Sequence, residues 1–341
     1  MAREQRHLSV ASSVIYAQLL ICVAVLLLAA TAAIAQSPSK PYRIGWLGST
    51  PLAPSADSGV KDFDQGLRDL KYVDGKNVVI VYRSADGNLE KLGDLSADLV
   101  RQRVDVIVTS GVPAAFAAKR STSSIPIVAT EFSLDPVQTR LVESLRQPGG
   151  NVTGLAVIGE ELWPKRLGLL KEIVPRAVRL VVLWNPTNPG NASCLQEISI
   201  AAPAMGMRPI PLEVSDAKGL DAALAKVSVD TADAIAICWD SVTLTLARTI
   251  GDFALKQRLP TVTPLREYVD AGALISYGAS LAAHRRRAAY YVDRILKGSS
   301  AGSLPVERPT NFEMVVNIKT AQVLGVTLPA PMVMLADDSI R

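Results

Sequence analysis

The chain has 341 residues, 49% hydrophobic and 20% charged, a balance that builds a packed core and excludes a disordered chain. At roughly 100–200 residues per domain there is room for about two domains. The net charge of +4 is spread thinly, with no Lys/Arg block interleaved with aromatics, so no nucleic-acid partner is expected.

The first 35 residues stand apart. Arg3 and Arg6 precede a long apolar run that covers residues 19–28 and ends in Ala33-Ile34-Ala35, a small-x-small site before Gln36. This layout predicts a cleaved signal peptide over residues 1–35 and export to the periplasm. An uncleaved N-terminal anchor is the alternative, because the run approaches the ~20 residues that span a bilayer. Ile21 is bulky where lipoprotein processing at Cys22 needs a small residue, and no second membrane-length run follows.

From Tyr42 onward, apolar runs alternate with helix-period segments. Strands are predicted at 42–47, 78–82, 104–108 and 125–129, with helices at 58–71 and 89–99. The Val- and Ile-rich strands show no clean alternation, as in a parallel sheet covered on both faces. Pro148-Gly149-Gly150-Asn151 is a turn cluster, and a second α/β series follows it. Its helix is near 162–173 and its strands are at 178–184, 210–214, 234–239, 259–262 and 273–277. A helix over 282–297, an extended stretch at 304–312, a strand at 313–318 and a short helix at 320–324 complete the pattern. The fold class is α/β: two doubly wound parallel-sheet lobes joined by a hinge. The first lobe is expected to comprise 42–152 plus 279–311, and the second 153–278 plus 312–335. The crossings are placed near 152–157, 274–278 and 312–317.

In open α/β sheets ligands sit beyond the carboxyl ends of the strands. The residues found there are Ser49, then Thr109-Ser110-Gly111 before a helix, Thr130 with Asp135 beyond it, Asn185, Trp239-Asp240 and Tyr277. Free N–H groups at a helix start attract anions, so Thr109, Ser110 and Gly111 can hold a carboxylate. Asp240 or Asp135 can pair with an amine, and Trp46, Trp184 or Trp239 can cover an apolar group. Each polar residue also reads as an ordinary helix cap, and Trp46 and Trp184 as core. Glu131 near Asp135 is a candidate carboxylate pair. The basic helix start His284-Arg285-Arg286-Arg287 is expected to be a solvated face.

No GxSxG elbow, glycine-rich phosphate loop or HExxH is present, so no catalysis and no cofactor are predicted. Cys194 and Cys238 are expected to be free, buried thiols. With His284 they do not compose a zinc site, and no metal is expected.

A linked series of segments carries a resemblance. It runs through Pro148-Gly-Gly-Asn-Val-Thr-Gly154, Lys165-Arg166-Leu167, Leu170-Lys-Glu-Ile-Val-Pro175, Val182-Leu-Trp-Asn-Pro186 and Ala271-Gly-Ala-Leu-Ile-Ser-Tyr-Gly278. It continues in Arg287-Ala-Ala-Tyr-Tyr291, Leu304-Pro-Val-Glu307 and Pro309-Thr-Asn-Phe-Glu313. This resembles the substrate-binding proteins of ABC transporters, in the group that includes tryptophan- and tyrosine-binding members. The resemblance implies a type I periplasmic-binding fold with three crossings, ligand-driven closure, and an ABC permease and ATPase as partners. Relatives often carry Gly-Asp-Pro where this chain has Leu134-Asp135-Pro136. The function expected is capture of a small molecule, an amino acid or similar carboxylate, by a protein that acts as a monomer. A ligand sensor module of the same fold, or an exported α/β enzyme, are the alternatives.

Overall fold

The computed structural model describes residues 40–50, 59–132, 135–157, 159–309 and 312–341. The N-terminal apolar run, Ser58, Leu134, Thr310 and Asn311 lie outside them. Everything below belongs to the unit Tyr42–Arg341.

The first sheet has the order β2-β1-β3-β4-β5, all parallel, from β1 (Tyr42–Gly48), β2 (Val78–Ser84), β3 (Val106–Ser110), β4 (Ile127–Phe132) and β5 (Val152–Ala156). Every residue of β3, β4 and β5 is buried, which accounts for apolar runs without a polar face. On one face Ile44, Trp46, Val106 and Val108 pack against Phe63 and Leu67 of α1 (Gly59–Asp69). Ala288 and Val292 of α10 (Leu281–Leu296) join that face. On the other, Leu47, Ile107 and Ile127 meet Leu92 and Leu99 of α2 (Leu92–Arg101) and Ala114 and Ala118 of α3 (Val112–Ser121).

The second sheet has seven strands in the order β12-β11-β10-β9-β8-β6-β7. These are β6 (Arg179–Trp184), β7 (Arg208–Glu213), β8 (Ala234–Ile237), β9 (Thr261–Thr263), β10 (Ile275–Gly278), β11 (Glu313–Asn317) and β12 (Asp338–Ile340). Only the β10–β11 pairing is antiparallel. One face is covered by α4 (Trp163–Ile173) and α5 (Pro189–Ala204), with Leu167, Leu170 and Ile198 on Leu180 and Val182. The other is covered by α6 (Ala217–Leu224), α8 (Ala247–Lys256) and α9 (Arg266–Asp270).

The chain leaves the first sheet after Ala156 and enters α4 in the second lobe. It returns between Gly278 and Leu281, and crosses again between Glu307, which bridges to Leu155, and Glu313. β5 therefore extends the first sheet beyond Val152, where the sequence reading begins the second lobe. The cause is Gly154, whose φ of +147° and approach to Ala129 let β5 lie close along β4.

Two expectations are corrected. Cys194 and Cys238 are joined in a disulfide, because α5 brings their Cα atoms to 6.0 Å, within bridging range. The start of α10 is a solvated face only in part: Arg286 and Arg287 are exposed, but His284 is 8% and Arg285 7% exposed. Both fall on the stripe that continues through Ala288, Val292 and Ile295, so the helix turns them inward with its apolar side. Burial, then the nearby Arg285, depresses the His284 imidazole to about 4.

Candidate functional site

The carboxyl ends of both sheets face one cleft. In the first lobe, the Ser49 backbone is fixed on both sides: its N–H donates to Ser110 O at 3.0 Å, and its carbonyl accepts from Gly87 at 2.9 Å. Its side chain is 0% exposed, yet the hydroxyl has no partner among the described residues. The Thr109 hydroxyl is likewise buried and unpartnered. Gly111 caps α3 with φ +92° and offers no side-chain cap, so the first turn of α3 is presented bare to the cleft. A Cβ on Gly111 would lie 2.7 Å from Ser49 Oγ and 3.1 Å from Ser241 Oγ of the other lobe. The two lobes thus touch at this point.

Beside it, Glu131 is 3% exposed at the end of β4. Ser110 Oγ donates to its Oε1 at 2.7 Å. The Thr130 hydroxyl lies between its other oxygen and the Thr109 carbonyl. No ion pair to Glu131 is found among the described residues. A buried carboxylate held only by hydroxyls is poised to accept a cationic group.

In the second lobe the loop after β6 and the start of α5 are woven into the segment after β8. Asn185 donates to Asp240 Oδ1 at 2.9 Å and Asn188 to Oδ2 at 2.7 Å, while Val242 N–H donates to Oδ1 at 2.8 Å. Asn191 donates to the Trp239 carbonyl at 2.7 Å and accepts from the Asn185 N–H at 2.9 Å. Asp240 thereby caps α7 (Ser241–Thr245).

A cavity of about 430 Å³ lies between the lobes, lined by Leu92, Val112 and Phe116 on one side and Asn185, Asn188 and Asp240 on the other. Deeper in the second lobe a cavity of about 30 Å³ is walled by Trp163, Arg166, Trp239 and Phe312. The Trp239 Nε1 is buried without a partner among the described residues. Arg166 donates to Tyr277 O and Gly159 O, each at 2.7 Å, and its guanidinium lies 4.9 Å from the Trp163 ring. It joins the first two crossing segments. Tyr277 stands 6.1 Å from Phe312, centroid to centroid.

The structure therefore brings Ser49, Thr109, Ser110, Gly111, Thr130, Asn185, Trp239 and Asp240 to the cleft, with Tyr277 at its hinge end. Two candidates are placed otherwise. Trp46 packs in the core, 5.3 Å from Phe63. Asp135 Oδ1 accepts from Val137 N–H at 2.8 Å, a local turn cap. Asp240 accepts from three neutral donors and Glu131 from two hydroxyls, so Glu131 is the carboxylate with more capacity to spare. Arg166, Ser241 and Trp163 went unassigned by sequence. An arginine among Trp163, Leu167 and Leu170 on a helix's apolar face was the available signal.

Two lobes with parallel-rich sheets, three crossings and a cleft at the strand ends define a type I periplasmic binding protein. The sequence pattern of the ABC transporter substrate binding proteins matches residues 52–340, and the chain belongs to that family. A tyrosine-binding protein of Clostridioides difficile is 26% identical over 271 residues, 80% of this chain and 77% of that protein. A conserved domain protein of Vibrio cholerae is 28% identical, with a TM-score of 0.80 over 88% of this chain and all of the other. An ABC domain from Streptococcus pneumonia, solved in complex with L-Trp, has a TM-score of 0.79 at 24% identity over the same 88%, and likewise shows the shared fold.

Proposed function

We propose that this substrate-binding protein captures an amino acid in the inter-lobe cleft and presents it, with the lobes closed, to an ABC permease and its ATPase. The observation that carries this reading is the fully buried Ser49 hydroxyl, without a partner among the described residues, where Gly111 of one lobe meets Ser241 of the other. A buried polar group without a partner is costly, and a ligand carboxylate at the bare start of α3 would satisfy it. Glu131 would hold the ammonium, and the inter-lobe cavity of about 430 Å³, with Leu92, Val112 and Phe116 on its apolar wall, would take an aromatic side chain. The tyrosine-binding relative and the neighbour solved with L-Trp favour that ligand class.

Closure follows from differential affinity: a ligand that touches both lobes favours the closed form by the free energy of the contacts it makes only there. The protein performs no chemistry on its cargo and works as a monomer outside the cytoplasm after removal of residues 1–35. Among the described residues no helix is long and apolar enough to cross a membrane.

The test is calorimetric titration with L-tyrosine and L-tryptophan, with the recovered ligand analysed for chemical change and the N-terminus sequenced after export. Tight binding of an unchanged amino acid supports the reading. Absence of heat and of any thermal shift across the amino acids would remove it.

A further inference from the structure

We infer that the Cys194–Cys238 disulfide positions the second lobe's wall of the ligand site, and that it makes capture depend on oxidation during folding. The inference rests on the amino-acid reading above. Cys238 immediately precedes Trp239 and Asp240, and Cys194 lines the inner cavity together with Trp239 and Asn191. The other links between the segment after β8 and the segment after β6 are side-chain hydrogen bonds from Asn185, Asn188 and Asn191. Each of these can be exchanged for water once the segments part. Among the described residues the disulfide is the one covalent tie between the two segments. It sits next to Trp239 and Asp240, which line the two cavities of the cleft.

Burial decides how the bond is made. Cys194 is 5% and Cys238 0% exposed, so neither sulfur can be attacked in the folded protein. Oxidation must come before the lobe closes over them. One cysteine thiolate attacks a protein or small-molecule disulfide to form a mixed disulfide, and the second displaces it. The sulfur–sulfur bond of the oxidant breaks as that of Cys194–Cys238 forms. Both electrons pass to the oxidant, which leaves as two thiols carrying the two protons. After folding the bond is shielded from reductants. The device is a maturation step tied to an oxidising compartment: chain that folds in a reducing one carries a loose site, and oxidised chain keeps a rigid one.

The test compares the exported, oxidised protein with the same chain unfolded and refolded in dithiothreitol, and with the Cys194→Ala/Cys238→Ala variant. L-tyrosine and L-tryptophan are the titrants. Both disulfide-free forms should bind at least about tenfold more weakly, as expected when a site loses preorganisation. Dithiothreitol added to the folded, oxidised protein should change nothing. Leu220→Ala, which opens a hole in the same lobe's core at α6, should leave affinity within about twofold of the parent. Unchanged affinity in the disulfide-free forms, or an equal loss in Leu220→Ala, overturns the inference. So does failure of both disulfide-free forms to fold, because the bond would then serve the fold and not the site. Should the oxidised protein bind neither amino acid, the capture reading fails first. Hydrogen exchange at the Val242 and Leu244 amides, which donate to Asp240, then decides the positioning role. Exchange about tenfold faster without the disulfide supports it, and equal exchange overturns it.

Discussion

Replacing Gly111 by alanine separates what this glycine does for the first lobe from what it does for closure. Its φ of +92° with ψ of 139° is a conformation that L-residues adopt at a cost of about 1–3 kcal/mol. The new Cβ would also lie 3.0 Å from Ser49 Cβ in the same lobe. Both penalties act whether the cleft is open or closed, so they appear as lost stability. Dividing them by an unfolding entropy of about 0.6 kcal/mol/K for a protein of this size gives a Tm lower by about 2–5 °C. The contact 3.1 Å from Ser241 Oγ is different, because it exists only when the lobes meet. Relieving it by opening the cleft costs affinity, about 1 kcal/mol or roughly fivefold in Kd for each such closed-state contact. Scanning calorimetry and isothermal titration with the bound amino acid read the two effects separately. Ser241→Gly, placed in the same chain, removes the inter-lobe contact and should recover the part of the affinity lost there, without the part lost at Ser49 Oγ, 2.7 Å from the new Cβ, and without restoring Tm. A Gly111→Ala protein with parental Kd, or a double variant whose affinity recovers none of the loss, would refute the assignment of this contact to the closed state.

Other perturbations reach different parts of the molecule. Loss of the disulfide frees a loop of 44 residues in the unfolded chain, which chain-entropy arguments put at about 4 kcal/mol; denaturant titration of Cys194→Ala/Cys238→Ala should show a loss of that order. Glu131→Gln keeps the shape but removes the charge, and should weaken amino-acid binding by about tenfold or more, measured by titration; equal affinity would exclude Glu131 as the ammonium partner. Arg166→Leu strips the Tyr277 and Gly159 carbonyls of a buried donor, and should cost about 2–4 kcal/mol in denaturant titration. His284 sets an acid limit. Its imidazole sits near 4 in the folded protein against about 6.5 unfolded, so the unfolded chain takes up the proton first. Stability is therefore full above about pH 6.5 and declines as pH falls toward 4, by roughly 3 kcal/mol from this group. His284→Gln should flatten that part of a Tm-versus-pH profile; an unchanged slope would place the acid sensitivity elsewhere.

The alternation of Val- and Ile-rich runs with helical stretches was enough to indicate two α/β lobes, because strands buried on both faces write continuous apolar runs into the sequence. The cleft was legible for the same reason. Position at a strand's carboxyl end is a local property, so Ser49, Thr109, Ser110, Gly111, Trp239 and Asp240 could be found one at a time. What the sequence could not convey was how those residues spend their hydrogen bonds. Asp240 and Glu131 read alike as carboxylates after strands, and only the distances show Asp240 filled by Asn185, Asn188 and its own helix while Glu131 rests on two hydroxyls. The disulfide escaped for a related reason: 44 residues separate its cysteines, and their 6.0 Å approach depends on how α5 packs against β8. His284 and Arg285 misled because charge outweighed period in the reading, although their spacing from Ala288 and Val292 already put them on the inward stripe. Arg166 is the same case on α4. On α4 the charged residue on the apolar side lies beside a crossing between the lobes, where polar backbone runs through the interior and Arg166 meets two of its carbonyls. A charged side chain out of phase with its helix's polar face is thus the local trace that a hinge leaves in a sequence of this architecture.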